Sequence, residues 1–328
     1  MKLREPRNGC WRMSDLTVVQ MLPELEGGGV ERGTLEVARE LVKQGHRSIV
    51  IAKKGRLVEQ LLAEGSEHVD WDVGRKHLWT LRYIPRLRRY LKQNQVDILH
   101  LRSRLPAWIG YRAWKRMSPD KRPGLVTTVH GMYSVKRYSS IMTRGERVIA
   151  VSDTVRDYIL HNYPGVDENR VRVIPRGVDA DEFPHAWQPG EAWLKAWYAQ
   201  FPQLRDRRVI TLPGRLTRLK GHHAFIDLIA RLRADQHNVH GLIVGGEDPR
   251  RHAYAQELRT RVRELNLQAD ITFTGARSDM RAVFAVSDLV LSLSSQPQPF
   301  GRTVLDALSM GRPVAGLAHG RVGEVRSR

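Results

Sequence analysis

Short apolar runs alternate with stretches of helical period along almost the whole chain. Residues 16–21, 48–52, 97–101, 125–129, 148–151 and 171–174 read as buried strands, with helical stretches between most of them. The first helix is expected from about Val30 to Gln44. Leu35, Ala38, Leu41 and Val42 form its apolar face, and Gly45 stands where a left-handed C-cap suits glycine. Residues 176–190 then hold Gly177, Pro184, Pro189 and Gly190 without clear periodicity, which marks a break. A helix is expected over 191–199, and a second alternation starts at Val209, with strands at 209–212, 241–244, 271–273, 289–293 and 313–315. The pattern predicts an α/β chain of two doubly wound, Rossmann-like halves, 15–178 and 201–328, joined by a linker at 179–200. Ligands of such an arrangement are expected in the cleft between the halves.

The polar residues that interrupt this pattern cluster where strands end. Residues 289–314 read as a strand, a loop with Pro297, Pro299 and Gly301, and a short helix closed by Gly311. The backbone N–H groups of Gly301, Arg302 and Thr303, together with the helix dipole, suit an anion such as phosphate. Gln298 and Asp306 flank that turn eight positions apart. After the strand at 209–212 come Gly214, which permits close backbone approach, and Arg215 and Lys220, whose cations can reach a diphosphate. Gly27, Gly28 and Gly29 follow the first strand and open a helix. His130 ends the strand LVTTV, Gly245, Gly246 and Glu247 end GLIV, and Thr274 and Gly275 end ITF.

These segments, in this order, resemble the retaining family 4 glycosyltransferases of the GT-B fold, over about Leu16 to Glu324. SSQPQPFGRTVLDAL resembles the family's E-x7-E signature with Phe300 and Gly301 after the first position, but Gln298 and Asp306 stand where two glutamates are usual. GRLTRLKG resembles the GR-x4-KG pattern, and Arg176-Gly-Val-Asp179 resembles N-G-V-D with Arg for Asn. Wording close to SSQPQPFGRTVL points to the branch that builds lipopolysaccharide cores. The resemblance implies that Arg215, Lys220 and the Gly301–Thr303 amides hold the donor diphosphate and Asp306 the ribose. Gln298 and His130 are implied at the donor sugar, with Gly28, Gly29, Gly214, Gly246, Thr274 and Phe300 bordering the donor. The implied reaction moves a sugar from a UDP-sugar, as co-substrate, to a lipopolysaccharide-core or related glycolipid or oligosaccharide hydroxyl with retention. Relatives continue past a segment like 316–328 with a further strand and helices, so the second domain is expected to be incomplete. A non-catalytic remnant that binds only nucleotide or membrane stays open as the alternative.

Composition narrows the setting. The formal net charge is +19, and the bases crowd residues 75–122, against Asp97 and Asp120 alone. Trp79, Tyr83, Tyr90, Trp108, Tyr111 and Trp114 are interleaved with them. That mixture suits the headgroup zone of an anionic membrane, while a solvated Arg-rich surface gives the same pattern. No motif supports nucleic acid. No run of eighteen apolar residues occurs. Cys10 is the only cysteine, which suits a reducing cytoplasm, and the expected location is peripheral on the inner face of the cytoplasmic membrane. Residues 1–14 are expected to be a disordered leader, with Met13 a candidate start. Adjacent His222 and His223 lack metal-ligand spacing, so no metal and no cofactor are expected. Gly27–Gly29 is not a dinucleotide fingerprint, and neither a Walker A loop nor a G-x-S-x-G elbow is present.

Overall fold

The structure is a computed structural model that describes residues 15–247, 252–296 and 301–317. The leader at 1–14, Gln298, Phe300 and the segment 318–328 lie outside the described residues. Contacts divide the chain between Arg176 and Gly177 into two units.

The first unit carries β1 (Thr17–Glu24), α1 (Gly29–Lys43), β2 (Arg47–Lys53), α2 (Val58–Ala63), β3 (Glu67–Asp70) and α3 (Tyr83–Gln93). It continues with β4 (Ile98–Leu101), α4 (Arg104–Lys115), β5 (Gly124–Val129), β6 (Arg147–Ala150), α5 (Asp153–Asn162) and β7 (Val171–Val173). The seven strands order as β3-β2-β1-β4-β5-β6-β7, and every pair is parallel. Helices cover both faces, which is why β1 and β2 are buried over five consecutive residues rather than alternately.

The second unit carries α6 (Glu191–Gln200), β8 (Arg208–Pro213), α7 (His222–Ala234), β9 (Val239–Val244), α8 (His252–Glu264) and β10 (Ile271–Gly275). Then come α9 (Met280–Ala285), β11 (Leu289–Ser292), α10 (Arg302–Ser309) and β12 (Val314–Gly316). Its parallel strands order as β10-β9-β8-β11-β12. Each sheet reverses strand order once, between β1 and β4 and between β8 and β11, and open α/β sheets bind ligands outside the carboxyl ends of strands at such a point.

Three details depart from the pattern reading. β3 is an additional strand, EHVD, whose polar sequence carries no apolar run; among the described residues it is an edge strand, paired only with β2. The segment 179–200 is packed rather than loose. Phe183 and Trp197 are core side chains of the second unit, and Trp193 stacks on Trp197 with ring centroids 4.9 Å apart. Most of the aromatics interleaved with bases face inward: Tyr83 and Trp114 are buried, while Tyr90, Trp108 and Tyr111 pack against the core. Trp79 alone of the six stands out, 70% exposed, with Leu78 at 81% and Leu81 at 45% beside it. At helical spacing the rings of α3 and α4 take the buried face, and the bases take the solvent face.

Candidate functional site

At the switch point of the second unit, the loop after β8 is pinned by its neighbours. Gly214 N–H donates to Val244 O at 2.8 Å, Leu216 N–H to Gly246 O at 3.1 Å, and Ser295 N–H to Leu219 O at 3.1 Å. Loops after β8, β9 and β11 are thereby joined. Gly214 has φ +146°, and a Cβ there would lie 3.2 Å from Lys220 Cδ, so the lysine stem crosses the bare backbone. Any side chain on Gly245 would strike the Gly214 carbonyl, and one on Gly246 would sit 3.2 Å from Ala276 Cβ. Gly221 has φ +75°, and its Cα faces Leu293 so closely that a Cβ would meet Leu293 O.

The electrostatics of this loop favour an anion. Burial, and then the nearby Arg215 cation, lower the pKa of Lys220. Arg215 itself is exposed. Two neighbouring cations, one partly stripped of water, are relieved by a diphosphate. His222, the first residue of α7, is fully buried, with Nδ1 3.5 Å from the Tyr254 hydroxyl and Nε2 without a partner among the described residues. Burial pushes its pKa down to about 4, so the ring is neutral.

The turn between β11 and α10 is described from Gly301 onward. Gly301 is left-handed at φ +62° and caps α10, whose Val304 N–H returns to Gly301 O at 3.0 Å. Asp306, one turn into α10, is 6% exposed, with Oδ2 3.7 Å from Arg302 Nε. Gln298 and Phe300 fall outside the described residues. Thr274 is half-buried at the end of β10, its hydroxyl donating to Gly275 O at 3.0 Å. Glu247 is engaged by Arg259 and His252, and the Arg259 hydrogen bond holds its pKa below the usual carboxylate range.

In the first unit, Gly28 is the N-cap of α1, and the Glu31 carboxylate folds back against it, its Cδ 3.1 Å from where a Cβ would stand. His130 follows β5, and Arg176 follows β7. Arg176 Nη1 donates to Gly29 O at 2.6 Å, and Nη2 lies 2.5 Å from His130 Nδ1. Burial, reinforced by Arg102 and Arg176, holds the His130 imidazole neutral well below its ordinary range. Arg102, directly after β4, is 3% exposed and donates through Nη1 to Gln20 Oε1 at 2.9 Å. Gln20 Nε2 in turn donates to Thr34 O at 3.1 Å. Burial lowers the pKa of Arg102 to about 9. Arg102 and Gln20 belong to no motif that the sequence offered. The place of Arg102, first after a switch-point strand, was the available signal.

The family model Glycosyltransferase Family 4 matches residues 27–182, and Glycosyl transferases group 1 matches 207–327. A crystal structure of a glycosyltransferase from Rickettsia africae ESF-5 is 31% identical, with TM-score 0.84, covering 96% of this chain and 82% of that one. The chain belongs to the glycosyltransferases, with a Family 4 first part and a group 1 second part. Its GT-B fold recurs in Anabaena Alr3699/HepE, solved in complex with UDP and glucose, at 20% identity and TM-score 0.79, over 94% of this chain and 83% of that one. It recurs too in WaaG, a glycosyltransferase involved in lipopolysaccharide biosynthesis, at 18% identity and TM-score 0.69, over 94% and 84%. Among curated relatives, this chain is 24% identical over 260 residues to YtcC of Bacillus subtilis, covering 76% of this chain. It spans 62% of the length of that relative.

Proposed function

We propose that this glycosyltransferase moves a hexose from a UDP-sugar to a hydroxyl of a lipopolysaccharide-core or related glycolipid, with retention of anomeric configuration. The observation that carries the reading is the pinned β8 loop, which sets Lys220 across Gly214 beside Arg215. Breaking the glycosidic bond of a nucleotide sugar places charge on the departing diphosphate, and fixed cations in a partly dehydrated loop stabilise that charge where it develops. Arg215, Lys220 and the amides of Gly301, Arg302 and Thr303 are assigned to the diphosphate and Asp306 to the ribose. Gln298 and His130 are assigned to the donor sugar. The departing phosphate accepts the acceptor's proton, so the side chains position substrates rather than act as a base. UDP in the HepE structure and the lipopolysaccharide role of WaaG support the donor and acceptor classes.

No helix among the described residues is long and apolar enough to cross a membrane. Peripheral contact with an anionic membrane is assigned to Leu78 and Leu81, exposed next to Arg75, Lys76 and Arg82. Each base near such a surface contributes about 1 kcal/mol. The test of the transferase reading is turnover in Lys220→Ala. A loss of about 10²–10³-fold in kcat at an unchanged melting temperature is expected; full activity removes Lys220 from the mechanism.

A further inference from the structure

Two cavities open in the first unit outside the carboxyl ends of β1, β2 and β3. One of about 230 Å³ is walled by Asp72, Arg75, His77, Trp79, Arg82 and Tyr83. The other, of about 370 Å³, adds Glu24 and Lys53 and shares Asp72 and Arg75 with the first. None of the described donor residues assigned above lines either one.

We infer that this pair of cavities is a saccharide subsite for the acceptor, and that its occupant is an anionic pyranose carrying phosphate or carboxylate. The inference rests on the transferase reading, since it places the acceptor of that reaction. Three observations carry it. The first is chemical. A pyranose needs acceptors for its hydroxyl protons, donors for its oxygens and an apolar wall for its C–H face. Asp72 and Glu24 supply the first, Arg75 and Lys53 the second, and the Trp79 indole, 70% exposed, the third. The second is charge. Lys53, Arg75 and Arg82 outnumber Glu24 and Asp72, and none of these five forms an ion pair among the described residues. An unpaired basic excess around a concave site favours an anionic ligand.

The third observation is that the walls are held in place before any ligand arrives. Gly74 rests so closely on β1 that a Cβ would lie 2.6 Å from Pro23 Cβ. Thr80 Oγ1 donates to Arg75 O at 2.7 Å, Thr80 N–H to His77 O at 3.0 Å, and Trp79 N–H to His77 Nδ1 at 3.2 Å. Tyr83 stacks on buried Trp71 at 5.4 Å, and the Arg86 guanidinium lies over the Trp71 ring, 4.6 Å from its centroid. A preformed wall lowers the ordering cost of binding.

The test is NMR of the full chain with 15N-labelled tryptophan, the Trp79 indole resonance being assigned by Trp79→Phe. Glucose 6-phosphate, glucose, inorganic phosphate and UDP are titrated separately. Glucose 6-phosphate is expected to move the Trp79 resonance saturably, glucose at least tenfold more weakly, and phosphate or UDP not at all. Arg75→Ala and Asp72→Asn are each expected to weaken glucose 6-phosphate tenfold or more while UDP binding and the melt stay unchanged. A Trp79 resonance that ignores the sugar phosphate, or follows inorganic phosphate equally, or is indifferent to both substitutions, overturns the inference. Failure of UDP to bind anywhere on the chain instead strikes the transferase reading on which it rests.

Discussion

The guanidinium of Arg176 joins His130 to the glycine loop: one nitrogen donates to Gly29 O at 2.6 Å, and the other meets His130 Nδ1 at 2.5 Å. Arginine can only donate, so Nδ1 accepts and the proton of the neutral ring sits on Nε2. That Nε2 is buried without a partner among the described residues. His130 is thus a fixed hydrogen-bond donor, unsuited to removing a proton.

Arg176→Ala is expected to free the ring and lower kcat/KM by roughly 10–100-fold, the worth of about 1.5–3 kcal/mol for a hydrogen bond from a charged group. Histidine 15N spectra provide the check, with the His130 resonances assigned by His130→Gln. The parent protein should show an Nε2–H tautomer that persists through pH 6, and the variant a mixed tautomer. An Nδ1–H tautomer in the parent would exclude the arrangement.

Acid should loosen the fold before it affects the carboxylates. His100, His130, His222 and His240 all have pKa values lowered by burial, the last two to about 4. In the unfolded chain histidine titrates near 6.5, so as pH falls below that value the unfolded state binds protons the native state refuses. The stability these neutral rings confer is full above about pH 6.5 and is lost progressively toward pH 4. Thermal melts at pH 7.5, 6 and 5 should show a stepwise fall; a flat profile would mean that these rings are charged in the native state.

Gly221→Ala should be costly, because φ is +75° and the new methyl would meet Leu293 O. Left-handed strain alone costs about 1–3 kcal/mol, and relief requires the β8 and β11 loops to separate. A lower melting temperature together with weakened UDP binding is expected. Gly177→Ala, where nothing lies within 4 Å, is the matched control and should leave both unchanged.

The sheets were legible because parallel strands buried on both faces print themselves as continuous apolar runs, and the glycine turns at 27–29, 214 and 301 mark the strand ends where ligands sit. What escaped was non-local. β3 holds its place by pairing with β2, not by any apolar run of its own. Arg176 reads as part of a hinge turn until its partners, 46 and 147 residues away, are in view. Tyr83 and Trp114 read as surface aromatics because bases flank them, yet helical rotation turns the rings inward. Gly214 and Lys220, which pack together after β8, stood out by motif, whereas the burial of His222 appears only once α7 is in view.

The central claim, a UDP-sugar site built on Arg215 and Lys220, is tested most directly by titrating the purified chain with UDP, using GDP as comparator and no added metal. Saturable binding of UDP that weakens at least tenfold in Arg215→Ala and in Lys220→Ala, with melting temperatures unchanged, is the predicted result. Absence of UDP binding by a cooperatively folded chain, or binding that both variants retain in full, would contradict it.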